Sequence, residues 1–217
     1  MRIVVAGGHG QIARLFGELV SPDHEVVGLI RDPAQSADLE EVGMRPVVVD
    51  LEEAGPPELA RIIHGSDALV FSAGAGPGSG ATRKETVDYG AAVKSMEAAA
   101  SAGVARFVMV SAMGTDDPPP DDSVFSTYLR AKARADSRLM GSSLAWTVVR
   151  PGRLTDEAGT GRVRLARHVE RGTVPRQDVA AVLVGVLQRD GTVGKVFEVV
   201  SGDTPISRAL DALGDSG

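Results

Sequence analysis

The sequence predicts an α/β protein in three layers, with a doubly wound parallel sheet held between two layers of helices in a single domain. Three observations carry this. Seven short apolar runs recur along the 217 residues, and most are continuous rather than alternating, as in strands covered on both faces. Segments with helical spacing lie between the runs, the βαβ succession that builds a parallel sheet with right-handed crossovers. The first run ends in a glycine-rich turn, GGHGQIA at residues 7–13, directly before an amphipathic helix.

In chain order the strand candidates are residues 3–6, 25–30, 46–49, 68–73, 106–111, 146–149 and 195–200. Ile12, Leu15, Phe16, Leu19 and Val20 repeat at the spacing of one helix face, and residues 86–102 are rich in alanine and other good helix formers. Val124, Tyr128, Ala131, Ala135 and Leu139 form an apolar stripe, and Lys132 falls inside it. Near the end, Val179, Val182, Leu183 and Val186 share one side of a helix over 177–187, with Asp178 placed to favour its dipole. Residues from about 151 to 217 are expected to pack onto the main sheet as a small extension, supplying a substrate-side cap and a last strand within one domain spanning 1–217.

Three loops follow strands: AGAGPGSG at 73–80, TDDPPPDD at 115–122 and TDEAGTG at 155–161. Loops beyond the carboxyl ends of parallel strands border the ligand crevice, so these are candidate walls and lids. For the acidic loop, a solvated connector is an equally good reading.

Composition narrows the function classes. With 43% hydrophobic and 24% charged residues the chain is an ordinary globular one. A net charge of −6 and a pI near 5.3 give no basic surface for a polyanionic backbone, which argues against a nucleic-acid binder. There is no cysteine, and the four histidines (His9, His24, His64, His168) lack ligand spacing, so no metal site is expected. No leader pattern and no run of about 20 apolar residues is present, so a cytoplasmic protein without a membrane partner is expected.

The opening turn carries the first functional signal. Gly8, Gly10 and Ala13 fit G-x-G-x-x-G/A, and Gly7, Gly10 and Ala13 fit a looser G-x-x-G-x-x-A. The chemistry demands unusual dihedrals, a backbone without Cβ where a pyrophosphate approaches, and helix N–H groups aimed at its oxygens. At the end of the second strand, LIRDP places Arg31 where a guanidinium fork matches a 2′-phosphate, which favours NADP. If Arg31 is only a solvated charge and Asp32 serves the ribose or caps the next helix, NAD is allowed. Asp50, with Leu51 beside it, ends the third strand where it can accept from an adenine amino group, or simply cap a helix. Ser72, Ala73 and Gly74 let the backbone run close to a cofactor ribose, or only make a turn.

The chemical centre falls in YLRAK at 128–132. Residues four apart share a helix face, so Lys132 can sit beside Tyr128 and lower its pKa toward the range of a proton donor or acceptor. Tyr128 can equally be core. Lys132 is the more informative of the two, because an unpaired buried ammonium is costly.

Taken together, GGHGQIA, LIRDP, VVVDLEE, FSAGAG, VSAMGT, YLRAK, WTVVRPGRLTDEAGTG and RQDVAAVLVGVL resemble the short-chain dehydrogenase/reductase superfamily over almost the whole chain. The resemblance is to its small atypical members, of NmrA-like and biliverdin/flavin-reductase-like NAD(P)H-binding type. It implies a Rossmann-type fold with Gly7, Gly8, His9, Gly10, Gln11 and Ile12 around the pyrophosphate and Arg31 on the 2′-phosphate. It further implies Ser111 beside the nicotinamide, Lys132 on its ribose, Pro151 and Gly152 behind its amide, and Tyr128 as proton donor. One departure concerns the serine, since the better-known reductases space it nearer to Thr115 than to Ser111.

The expected activity is an NAD(P)H-dependent reductase acting on a small carbonyl, quinone or flavin-like acceptor, as a monomer or small homo-oligomer. A non-catalytic NADP(H) sensor is the alternative. A sugar-nucleotide epimerase or dehydratase ranks third, because little chain follows Pro151 to form a substrate domain. Arg153, Arg162, Arg164, Arg167 and Arg171 are expected to be a solvated face, with attraction of an anionic ligand as the other reading.

Overall fold

A computed structural model describes residues 1–76 and 78–214. The chain runs β1 (Arg2–Ala6), α1 (Gln11–Val20), β2 (Glu25–Ile30), α2 (Ser36–Glu41), β3 (Arg45–Val48), α3 (Pro56–Ile63) and β4 (Ala68–Phe71). It continues through α4 (Ala81–Arg83), a π-helical stretch (Lys84–Ala91), α5 (Ala92–Ala102), β5 (Arg106–Val110), α6 (Val124–Met140) and β6 (Ala145–Pro151). It closes with β7 (Arg153–Thr155), β8 (Arg162–Ala166), β9 (Thr173–Pro175), α7 (Arg176–Leu187), β10 (Lys195–Ser201), β11 (Thr204–Pro205) and α8 (Ile206–Gly214).

The main sheet has the order β11-β8-β10-β6-β5-β4-β1-β2-β3. From β3 to β10 every pairing is parallel, whereas β8 and β11 join antiparallel at the far edge. All seven apolar runs are strands of this Rossmann-type sheet. The chain works outward from β1 to β3, then returns to place β4 on the other side of β1, so the sheet splits its connections beyond the carboxyl ends of β1 and β4. Ligands of such sheets bind at that point.

Side-chain alternation explains the unbroken apolar runs. Ile3 and Val5 of β1 enter a core with Phe16, Val179, Leu183 and Leu210 on the α1, α7 and α8 side. Val4 and Ala6 enter the opposite core, with Leu59, Met96 and Leu139 on the α3, α5 and α6 side. Two glycines allow close packing of the first layer. A Cβ on Gly8 would meet Gly28 Cα at 2.7 Å, and Gly28 in turn sits against Leu39 and Met44.

Three details depart from the sequence reading. The helix expected over 86–102 begins at Ala81 and passes through the π-helical stretch before α5, which turns Lys84 and Asp88 inward. The buried stripe of α6 is Leu129, Lys132, Ala135, Asp136 and Leu139 rather than one through Val124, which is 46% exposed. Beyond Pro151, β7 and β9 form a separate two-stranded parallel ribbon. These strands are three residues long, too short to show a period.

Candidate functional site

The crevice begins at the turn after β1. Gly7 takes φ +82°, and a Cβ there would lie 2.6 Å from Ala73 Cα, so the end of β1 can lie against the end of β4 only with glycine at this position. Gly10 N–H donates to Gly7 O (3.0 Å) and Gly8 N–H to Leu29 O (2.9 Å), which fixes the turn between β1 and β2. Gly10 is the N-cap of α1, with no side-chain cap and no acidic residue in the first turn. The N–H groups of Gln11, Ile12 and Ala13 are therefore left for an external anion. His9 turns aside to Asp38 of α2, at 2.7 Å.

Two cavities meet at Ser72, Ala73, Gly74 and Gly76. The first, about 400 Å³, runs outward past Gly7, His9, Gly10, Arg31, Asp50 and Leu51. Asp50 accepts the Glu52 N–H at 2.8 Å, so part of its carboxylate is spent on the turn after β3. Asp32 caps the turn before α2 by accepting the Ala34 N–H on one carboxylate oxygen (2.9 Å). Glu52 gathers the cations here: its Oε2 lies 2.6 Å from Arg83 and 3.4 Å from Arg31, and its Oε1 accepts from Thr86 at 2.6 Å. The hydrogen bond from Arg83, then that from Thr86, hold the Glu52 carboxyl below the usual carboxylate range. Glu52, Arg83 and Thr86 were not foreseen from the sequence.

The second cavity, about 610 Å³, runs the other way past Ile12, Ser111, Tyr128, Lys132, Pro151 and Gly152 to Val124, Phe125 and Leu154. Gly152 is required by packing, because a Cβ there would collide with the Gly172 carbonyl oxygen. Thus all the expected cofactor residues from the turn to Gly152 except Gly8, which packs against Gly28 of β2, and Gln11 line one continuous trough. Gln11 borders a separate recess between α1 and the segment after β7.

Buried charge distinguishes this end. Lys132, 3% exposed, donates to Val110 O (3.2 Å) and Ala73 O (3.3 Å) and stands 3.4 Å from the fully buried carboxylate of Asp88. Asp136 is also fully buried and faces Arg150 Nε at 3.0 Å. The Ser111 hydroxyl donates to Asp136 at 2.9 Å, and Thr115 does so at 3.4 Å. The Ser111 hydroxyl thus serves the buried ion pair rather than the trough, while Thr115 donates more closely to the Ala112 carbonyl, at 3.2 Å.

The phenol does not behave as the YLRAK spacing suggests. Burial first, then the Asp88 and Asp136 carboxylates, push the Tyr128 pKa well above its ordinary value of 10.0. Lys132 spends its ammonium on Asp88 and two carbonyls, so the expected lowering by a neighbouring lysine is reversed. Ser123 fixes the start of α6 by accepting the Ser126 N–H at 3.1 Å. Hydrogen bonds from Ser123 and Ser126 in turn hold the Asp121 carboxyl down at about 2. That anchored helix start presents Phe125 and Tyr128 to the trough, their ring centroids 6.1 Å apart.

Among the described residues no helix is long and apolar enough to cross a membrane, and no cluster of His, Asp or Glu has the form of a metal site. An NAD(P)H-binding family model matches residues 7–190. The uncharacterized sugar epimerase YhfK of Bacillus subtilis (strain 168) is 38% identical over 215 residues, spanning 98% of this chain and all of that protein. A structure from Bacillus halodurans, named provisionally as an NAD-dependent epimerase/dehydratase, superposes with a TM-score of 0.91 at 39% identity, covering 98% of this chain and 99% of that one. The oxidoreductase ylbE of Lactococcus lactis superposes at 0.87 with 28% identity, covering 99% and 97%. With its glycine turn, its switch-point trough and this match over most of its length, the chain belongs to the NAD(P)H-binding family.

Proposed function

We propose that the protein is an NADP(H)-dependent reductase of a small carbonyl, quinone or flavin-like acceptor. The observation that carries the cofactor choice is the pair Arg31 and Arg83 converging on Glu52 at the outer end of the trough. Two guanidiniums share one carboxylate there, which leaves N–H donors free for a 2′-phosphate.

The residues present fit such a cofactor: the first turn of α1 has no side-chain cap and no acidic residue, and Gly10 at its N-cap lines the cavity without a Cβ. The N–H groups of Gln11 and Ile12 would hold the pyrophosphate, Arg31 and Arg83 the 2′-phosphate, Asp50 and Leu51 the adenosine, and Ser72 to Gly74 the ribose. Lys132 would bind the second ribose, with Pro151 and Gly152 behind the nicotinamide. When bound, the dinucleotide supplies a hydride. Tyr128, held as a neutral phenol, donates its proton to the acceptor oxygen. Ser111 reaches that oxygen only by turning its hydroxyl away from Asp136.

A sugar epimerase reading is favoured by the names of the relatives. Such a reaction returns the cofactor to its starting redox state, so turnover without net NADPH oxidation tells it apart. The sensor reading differs in having no turnover. Titration with NADPH and NADH, read through cofactor fluorescence, followed by NADPH oxidation with carbonyl, quinone and flavin acceptors, separates the three. We expect at least tenfold tighter NADPH binding and net oxidation with one acceptor class. Tighter NADH binding overturns the role of Arg31 and Arg83; binding without turnover selects the sensor, and sugar-nucleotide isomerisation without net oxidation selects the epimerase.

A further inference from the structure

Lys84 is 9% exposed, yet its ammonium faces no carboxylate within 4.0 Å among the described residues. Its partners there are one carbonyl, Gly76 O at 2.9 Å, and the face of the Tyr128 ring, 5.4 Å away at its centroid. The other cations of the same cavity are compensated: Lys132 by Asp88 at 3.4 Å and Arg176 by Asp156 at 2.6 Å. A desolvated ammonium with a single carbonyl and an aromatic face is left short of both charge and hydrogen bonds. Asp88, four residues further along the π-helical stretch, gives its oxygens to Lys132 and to the Ala75 N–H (3.3 Å), and so does not supply the deficit. The cavity that Lys84 lines also carries Tyr128, Leu154 and Phe125, the last 62% exposed, alongside the polar Ser79 and Asp88. An apolar ring is thereby offered a bed, with a fixed positive point beside it.

We propose that Lys84 receives an acidic substituent of the acceptor, so that the compound reduced here is an apolar ring bearing a carboxylate. This rests on the reading of the trough as a dinucleotide site with the acceptor held between Phe125, Tyr128 and Leu154. A new charge-assisted hydrogen bond in a desolvated site is worth a factor of about ten or more in affinity.

The test is calorimetric titration of the NADP⁺-saturated protein with 2-naphthoate and with 2-naphthalenemethanol, which share a ring and differ in charge. The expected result is at least tenfold tighter binding of 2-naphthoate, lost in Lys84→Gln and kept in Lys84→Arg. Equal affinities in the unsubstituted protein overturn the proposal, whether or not Lys84→Gln folds. A preference that survives in Lys84→Gln overturns it too. Failure of the underlying reading looks different: NADP⁺ then does not bind, or no acceptor oxidises NADPH, while titration of the cofactor-free protein still reports on Lys84.

Discussion

The two ends of the trough are built in opposite ways. At the outer end, neighbouring parts of the first βαβ unit do the work: a glycine turn, a helix start and an arginine at the tip of β2, with Arg31 and Arg83 substantially exposed. At the inner end, Lys132, Asp88, Asp136 and Arg150 come from three segments, the π-helical stretch, α6 and β6, and are almost wholly buried. The first arrangement suits recognition of an invariant dinucleotide by backbone groups. The second holds its charges in fixed positions, because a buried ion keeps its place only while its partners keep theirs.

If that contrast holds, the largest loss comes from breaking a pair at the buried end. Asp136→Ala leaves Arg150 buried with only the half-exposed Asp116 at 2.7 Å, and urea denaturation should show a loss of about 3–5 kcal/mol. Gly7→Ala comes next. It forces a side chain into the left-handed region and against Ala73, so we expect a loss of about 2–4 kcal/mol by the same measurement. Fluorescence titration of the variant should show loss of NADPH binding.

Tyr128→Phe should lower kcat for carbonyl acceptors about a hundredfold or more, with little change in the Kd for NADPH. The same residue gives a pH signature. Its folded pKa lies above the unfolded value, so its contribution to stability is complete below about pH 10 and is lost as pH rises toward the folded value. Stability measured from pH 9 upward should therefore fall more steeply in the unsubstituted protein than in Tyr128→Phe.

At the solvated end the effects shrink. Arg31→Ala should weaken NADPH about tenfold and leave NADH unchanged, compressing the ratio between them. Glu52→Ala should cost at most about 1 kcal/mol by urea denaturation, since Arg83 and Arg31 are both substantially exposed. A loss as large as that of Asp136→Ala would erase the distinction between the two ends.

The same contrast explains what the sequence discloses. Seven strands and the glycine turn are legible because their signals are local, an apolar run or a spacing within seven residues. Glu52 and Arg83 are not, since they meet across 31 residues of chain. Asp88 escapes because the π-helical stretch changes the period on which an α-helical reading of 86–102 depends. Lys132 is a mixed case: its place in an apolar stripe says that it needs partners, and it has them, but they are Asp88, Ala73 O and Val110 O rather than the phenol four residues before it. Arg150 reads as the end of an apolar strand, and only the fold shows that its guanidinium meets Asp136.

The most direct test of the central claim is a crystal structure grown with saturating NADP⁺. The account expects pyrophosphate oxygens within about 2.7–3.2 Å of the Gln11 and Ile12 N–H groups, with the 2′-phosphate between Arg31 and Arg83. A dinucleotide bound away from the α1 start, or a trough left empty at saturation, would contradict it.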